Sequence, residues 1–164
     1  MTRYQKARDS APSSTGGAKP RSYLLVNGPN LNTLGTREPQ IYGTTTLAEV
    51  VARCRRVAKD AGAELVDYQS NHEGALIDFL QANAASDGAV LNPGGLAHTS
   101  IVLRDAVAAC SFPVVEVHVS DVTKRETFRH HSYLKDVTAN QIVGMGVVGY
   151  EVALRWLIER TPKK

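Results

Sequence analysis

Residues 23–47, YLLVNGPNLNTLGTREPQIYGTTTL, open with an apolar run, Tyr23, Leu24, Leu25 and Val26, that reads as a buried strand. A long polar segment of Asn, Gly and Pro follows, and a helix starts at Thr46. Connections between a strand and the next helix in α/β proteins usually take about two to six residues, so a loop this long marks a working loop rather than a connector. Thr46-Leu47-Ala48-Glu49 has capping-box spacing, in which the hydroxyl and the carboxylate satisfy open amides of the first helical turn. Leu47, Val50, Val51, Cys54, Val57, Ala58 and Ala61 then recur at helical spacing up to the stop at Gly62.

Outward from this unit the alternation repeats. Residues 63–69 read as a strand, and Ser70-Asn71-His72-Glu73 has the form of a second capping box ahead of Leu76, Ile77, Phe79 and Leu80. Residues 89–91 form the next strand, followed by the loop Asn92-Pro93-Gly94-Gly95-Leu96-Ala97-His98 and a helix over residues 99–110. Residues 114–119 are a fourth strand, residues 121–134 a polar segment with only a short helix, residues 141–145 a fifth strand and residues 149–159 a last helix. Five strands alternating with helices imply a parallel sheet covered on both faces. The expected fold is therefore α/β, a flavodoxin-like, doubly wound, five-stranded parallel sheet of order 2-1-3-4-5, with ligands bound beyond the carboxyl ends of strands one and three. The loops on that side hold Asn30, Arg37, Tyr42, Asn92, His98, His118 and Ser120.

Composition narrows the class. The chain has 164 residues, 43% hydrophobic and 21% charged, enough for one domain with a core and without a run long enough to span a membrane. Residues 1–21, rich in Ser, Gly, Pro and Lys, read as a disordered extension without the apolar core of a secretory signal, and residues 22–161 as a single domain. The formal charge of +3 owes much to Arg and Lys in the two tails, so no nucleic-acid partner is implied. Cys54 and Cys110 each sit in an apolar helical pattern without metal-ligand spacing, as buried thiols do in the reducing cytoplasm.

Glu116 and His118 are two apart on a strand and share a face, while Val115 and Val117 point to the other. A carboxylate beside an imidazole fixes its tautomer and raises its basicity, which suits a general acid or base; a structural carboxylate beside a core histidine fits the same spacing. Arg125 and Arg129, four apart, would share one face of a helical turn and hold a carboxylate at two points, or form a solvated basic face. The adjacent His130 and His131 diverge and have no carboxylate cluster beside them, so no metal site is expected. Tyr42 is a poor base unless a cation such as Arg37, five residues earlier, favours its phenolate. Gly94 and Gly95 could offer backbone amides to an anion, whereas a dinucleotide or ATP fingerprint is missing. A binding module holding flavin or a nucleotide in the same crevice remains open on these features alone.

Taken in order, NGPNLN at 27–32, LGTREP at 34–39, Tyr42-Gly43, QSNHEG at 69–74, NPGGLAHTS at 92–100, EVHVS at 116–120 and FRHHSY at 128–133 resemble the type II 3-dehydroquinate dehydratases, over nearly the whole chain from about Tyr23 to Arg160. The resemblance implies a cofactor-free hydro-lyase of the shikimate pathway that turns 3-dehydroquinate into 3-dehydroshikimate through an enolate. It implies Tyr42 as the base at C2, Arg37 as the cation supporting it on a mobile lid, His118 as the acid for the departing C1 hydroxyl, Glu116 as its orienting partner, and Asn30 beside a water near the enolate oxygen. Asn92, His98, Val119, Ser120 and Arg129 match substrate-binding positions, Arg125 is a secondary candidate, and Asp105 matches a position that reaches a neighbouring subunit's site. It also implies a homo-oligomer, a dodecamer of four trimers.

Overall fold

The structure is a computed structural model that describes residues 19–36 and 39–162, apart from the side chains of Pro39 and Tyr42. Five strands form a parallel sheet of order β2-β1-β3-β4-β5: β1 (Arg21–Asn27), β2 (Ala63–Gln69), β3 (Gly88–Asn92), β4 (Val114–His118) and β5 (Asn140–Val143). This is the order and the parallel pairing expected from the sequence. Burial explains which strands lie inside: β3 and β4 are buried along their whole length and β1 at all but Ser22, whereas the edge strand β2 alternates and β5 is half-buried.

Alternate residues of each central strand feed opposite layers. Tyr23, Leu25, Val90, Val115 and Val117 pack under α2 (Leu47–Asp60) and α5 (Val148–Arg160). Leu24, Val26, Ala89, Leu91 and Val114 pack under α3 (Glu73–Ala82) and α4 (Ile101–Ala108). Each fully buried Leu or Val contributes roughly 1.5–3 kcal/mol of transfer free energy, so two full layers outweigh any surface contact. A short helix, α1 (Pro39–Tyr42), lies in the long loop after β1.

The capping box at Thr46 forms as expected, with Glu49 N–H donating to Thr46 Oγ1 and Thr46 N–H donating to Glu49 Oε2 at 2.7 Å. Gly62 follows the C-cap with φ +66°, a left-handed conformation that favours glycine. The second expected box does not form. α3 starts at Glu73, so this carboxylate sits at the first helical position rather than the third, and Ser70 Oγ instead accepts from the His72 N–H at 3.0 Å in a turn. The helix before Cys110 is also shorter than expected: residues 94–98 form a 3-10 turn, Ser100 caps α4 by accepting from Leu103 N–H, and Cys110 stands half-buried two residues beyond the last turn.

β1 begins at Arg21, inside the stretch assigned to the extension, because its guanidinium is held by the carbonyls of Ile158 and Thr161 at the end of α5. Residues 1–18 of that extension lie outside the described residues. No helix among the described residues is long and apolar enough to cross a membrane.

The ends of β1 and β3 approach closely through a glycine. Gly28 N–H donates to Asn92 O at 2.8 Å, and a Cβ on Gly28 would fall 2.5 Å from Pro93 O. The obstacle is backbone and cannot rotate away. Gly28→Ala is expected to cost about 2 kcal/mol or more of stability as the loop is forced outward, which thermal unfolding reads directly as a fall in Tm.

Candidate active site

β1, β3 and β4 end side by side in Asn27, Asn92 and His118, and the loops leaving them diverge to opposite faces of the sheet. The divergence opens a cleft of about 830 Å³, counted to its open mouth, beyond the carboxyl ends of the strands. Of the residues singled out in the sequence, Asn30, Asn92, Gly94, Gly95 and His98 line it from one side. His118, Val119, Ser120, Arg125 and Arg129 line it from the other.

Glu116 and His118 share a face of β4, and His118 Nε2 lies 2.7 Å from Glu116 Oε1. Glu116 is fully buried yet well supplied with donors: Ser132 Oγ reaches Oε1 at 2.7 Å and Gln141 Nε2 reaches Oε2 at 2.9 Å. Burial alone would raise its pKa, but the His118 ring and these two donors together hold it below the usual glutamate range. An ionised Glu116 accepts from Nε2–H, leaving Nδ1 of His118 as the ring nitrogen not committed to this bond.

The His98 and His118 rings stack with centroids 6.0 Å apart. His98 Nδ1 lies 2.7 Å from the His131 carbonyl, which only accepts, so Nδ1 carries the hydrogen. Burial lowers the His98 pKa, and the nearby His118 and Arg129 add to the effect against the His131 hydrogen bond and Glu116. His98 is therefore neutral near pH 7 and offers Nε2 as an acceptor.

Asn30 is the one non-glycine residue with positive φ among the described residues, at +69°. Asn adopts this region more readily than most side chains, and here Asn71 Oδ1 accepts its N–H at 2.9 Å while Gln69 Nε2 donates to both Gly28 O and Asn71 Oδ1. Asn92 is buried with both ends of its amide engaged. One of those partners is the Gly94 N–H, at 3.1 Å, so that amide is not offered to an anion as the sequence suggested. Gly94 has φ +58°, and its Cβ position lies 3.0 Å from Pro29 O, so its role is to let the loops after β1 and β3 close on each other.

Arg125 and Arg129 do not share a helical turn. Arg125, with φ −100° and ψ −169°, ends a 3-10 turn (Val122–Lys124) capped by Asp121, and Arg129 ends a separate one (Thr127–Arg129). The extended backbone at Arg125 breaks the expected helix. Both residues nevertheless line the cleft, and their guanidinium groups share Glu126, at 3.5 and 2.8 Å. Two guanidinium groups carried by this wall suit an anionic ligand.

Asp105 lies on the exposed side of α4, beside Arg104 at 3.9 Å, and is not part of this cleft. Arg37 lies outside the described residues, as does the side chain of Tyr42 at the end of α1. Among the described residues no group of three or more His, Cys, Asp or Glu is arranged to hold a metal ion. Sequence reasoning missed Ser132, Gln141, Glu126, Asn71 and Tyr150 as parts of the site. Only Gln141 had a usable signal, its register opposite Glu116 on the neighbouring strand.

The model of the family described as dehydroquinase class II matches residues 21–158. A catabolic 3-dehydroquinase 1 from Neosartorya fischeri is 57% identical over 135 residues, 82% of this chain and 90% of that one. A 3-dehydroquinate dehydratase from Janthinobacterium is 51% identical over 142 residues, 85% of this chain and 98% of that one. Among solved structures, a type II dehydroquinase from Butyrivibrio crossotus superposes with TM-score 0.82 at 44% identity, covering 84% of this chain and 97% of that one. Fold, motif order and sequence thus point the same way, and the chain belongs to the class II dehydroquinase family.

Proposed function

We propose that the cleft removes water from 3-dehydroquinate to give 3-dehydroshikimate through an enolate, with the roles that family resemblance suggests. The ketone at C3 acidifies the C2 protons, so the Tyr42 phenolate, supported by Arg37, takes one of them and leaves the electron pair as an enolate. Collapse of the enolate forms the C1–C2 double bond and expels the C1 hydroxyl, which leaves as water with a proton from His118. The observation that carries this reading is the buried Glu116–His118 pair, 2.7 Å apart, at the wall of a cleft rimmed by Arg125 and Arg129.

The remaining side chains suit the substrate's other groups. Arg129, with Arg125 in support, faces the carboxylate, and Asn92, neutral His98, Ser120 and the Val119 backbone face the hydroxyls. Asn30 holds a water near the enolate oxygen, an oxyanion role. Asp105, exposed on α4, serves the cleft of a neighbouring subunit in a homo-oligomer, a dodecamer of four trimers; Ile101 and Val102, about half exposed on the same helix, support a partner there. The free Cys54 and Cys110 fit a reducing cytoplasm. The fungal relative carries a catabolic name and the bacterial one the name of the reaction alone, and the chemistry is common to both.

The test is the ultraviolet absorbance of the conjugated enone on adding 3-dehydroquinate, with and without chelator and with borohydride pretreatment in the presence of substrate. Turnover that is unchanged by both supports the reading. No turnover, metal dependence or inactivation through a trapped lysine imine overturns it.

A further inference from the structure

Behind the cleft lies a buried polar chain of which the chemistry above uses only Asn92. Asn27 ends β1, Asn92 ends β3 in register beside it, and Tyr150 enters from the first turn of α5; they are 1%, 3% and 0% exposed. The Tyr150 hydroxyl is 2.7 Å from Asn92 Nδ2 and 2.7 Å from Asn27 Oδ1. The two ends of an amide are alike in shape, so their hydrogen bonds must assign them.

Here a backbone group makes the assignment. The Gly94 N–H, 3.1 Å from Asn92 Oδ1, is only a donor. Oδ1 of Asn92 must therefore face Gly94, its NH2 must face Tyr150 and donate, and the phenol hydrogen is left with Asn27 Oδ1 as its acceptor. Burial pushes the Tyr150 pKa up, which keeps that hydrogen in place. Turning the Asn92 amide over would set its NH2 against the Gly94 N–H, two buried donors without an acceptor.

We propose that Tyr150 is a positioning residue, locking the Asn92 amide in one orientation so that its remaining N–H and remaining oxygen lone pair meet substrate hydroxyls at set places. This rests on the dehydratase reading, in which Asn92 binds a hydroxyl. Such a contact is made to the ground state and the transition state alike, so its loss shows in KM rather than in kcat.

Tyr150→Phe removes one oxygen and keeps the ring. It is expected to raise KM for 3-dehydroquinate about tenfold, the scale for a buried polar group left without its partner. The same variant should leave kcat within about threefold and the pH profile unmoved. In an Asn92→Ala background Tyr150→Phe is expected to change KM no further, because the group it positions is gone. Additive effects on KM, or a fall in kcat at constant KM, overturn the inference while leaving the dehydratase reading intact. A native protein without turnover sinks both. Should Tyr150→Phe fail to fold in thermal unfolding, Asn27→Ala carries the test: a raised KM that is non-additive with Asn92→Ala supports the inference, and an unchanged KM refutes it.

Discussion

Replacing Tyr42 with Phe is expected to cut turnover of 3-dehydroquinate by roughly 10²–10⁴-fold, the usual contribution of a positioned acid or base. The substitution deletes only the phenol oxygen, so Tm should stay within a few degrees of the native value. A phenol with an ordinary pKa near 10 is almost wholly protonated at pH 7, and the proposed base therefore needs its cation. Arg37→Ala accordingly belongs to the same prediction: turnover falls by orders of magnitude, and the alkaline side of the rate profile becomes the more productive one because phenolate then forms only at higher pH. Steady-state kinetics from pH 6 to 10 on the two variants decides the matter. Near-native turnover in either sinks the assignment.

His118→Asn is expected to lower kcat by a comparable factor, roughly 10²–10⁴-fold, because the one other imidazole lining the cleft among the described residues is that of His98. His98 does not substitute: its Nδ1 hydrogen is committed to the His131 carbonyl and burial keeps its ring neutral. Glu116→Gln extends the prediction to stability. The native carboxylate accepts from His118, Ser132 and Gln141, and a glutamine would have to turn its own NH2 toward one of these donors, at about 1–3 kcal/mol.

The pH dependence has a definite sign. The Glu116 pKa is lower in the folded protein than in the unfolded chain, so its stabilisation is present in full above the unfolded value, about pH 4, and is lost as the pH falls through the lower folded value. The native Tm should therefore drop more steeply below about pH 4 than that of Glu116→Gln. Parallel curves for the two proteins would show that Glu116 is not the titrating group.

Much of this site could be seen in the chain before any coordinates. Period-two alternation places Glu116 and His118 on one face of β4 with Val115 and Val117 on the other, and the structure keeps that division. The overlong loop after β1 and the Gly-rich loop after β3 fall on the ligand side because strands in a doubly wound sheet all point the same way. The misreadings are equally instructive. Ser70 and Glu73 have capping-box spacing, yet α3 starts too late for them to act as one. Arg125 and Arg129 have helical spacing, yet Asp121 caps a turn that closes before Arg125, and the two meet on Glu126 instead. In both cases the spacing was present and the backbone that would make it meaningful was not.

The sequence by itself determined the five-stranded order, the two apolar layers, the position of the cleft and the pairing of Glu116 with His118. All of these rest on periodicity, on local caps and on strands running one way. Only the tertiary structure decided that Ser132 and Gln141 share Glu116, that Asn71 holds the left-handed backbone of Asn30, and that Tyr150 of α5 lies between Asn27 and Asn92. The physical reason is distance along the chain: a hydrogen bond between residues 58 or 123 positions apart, as those of Tyr150 are, leaves no periodic trace and depends on how α5 packs on the sheet.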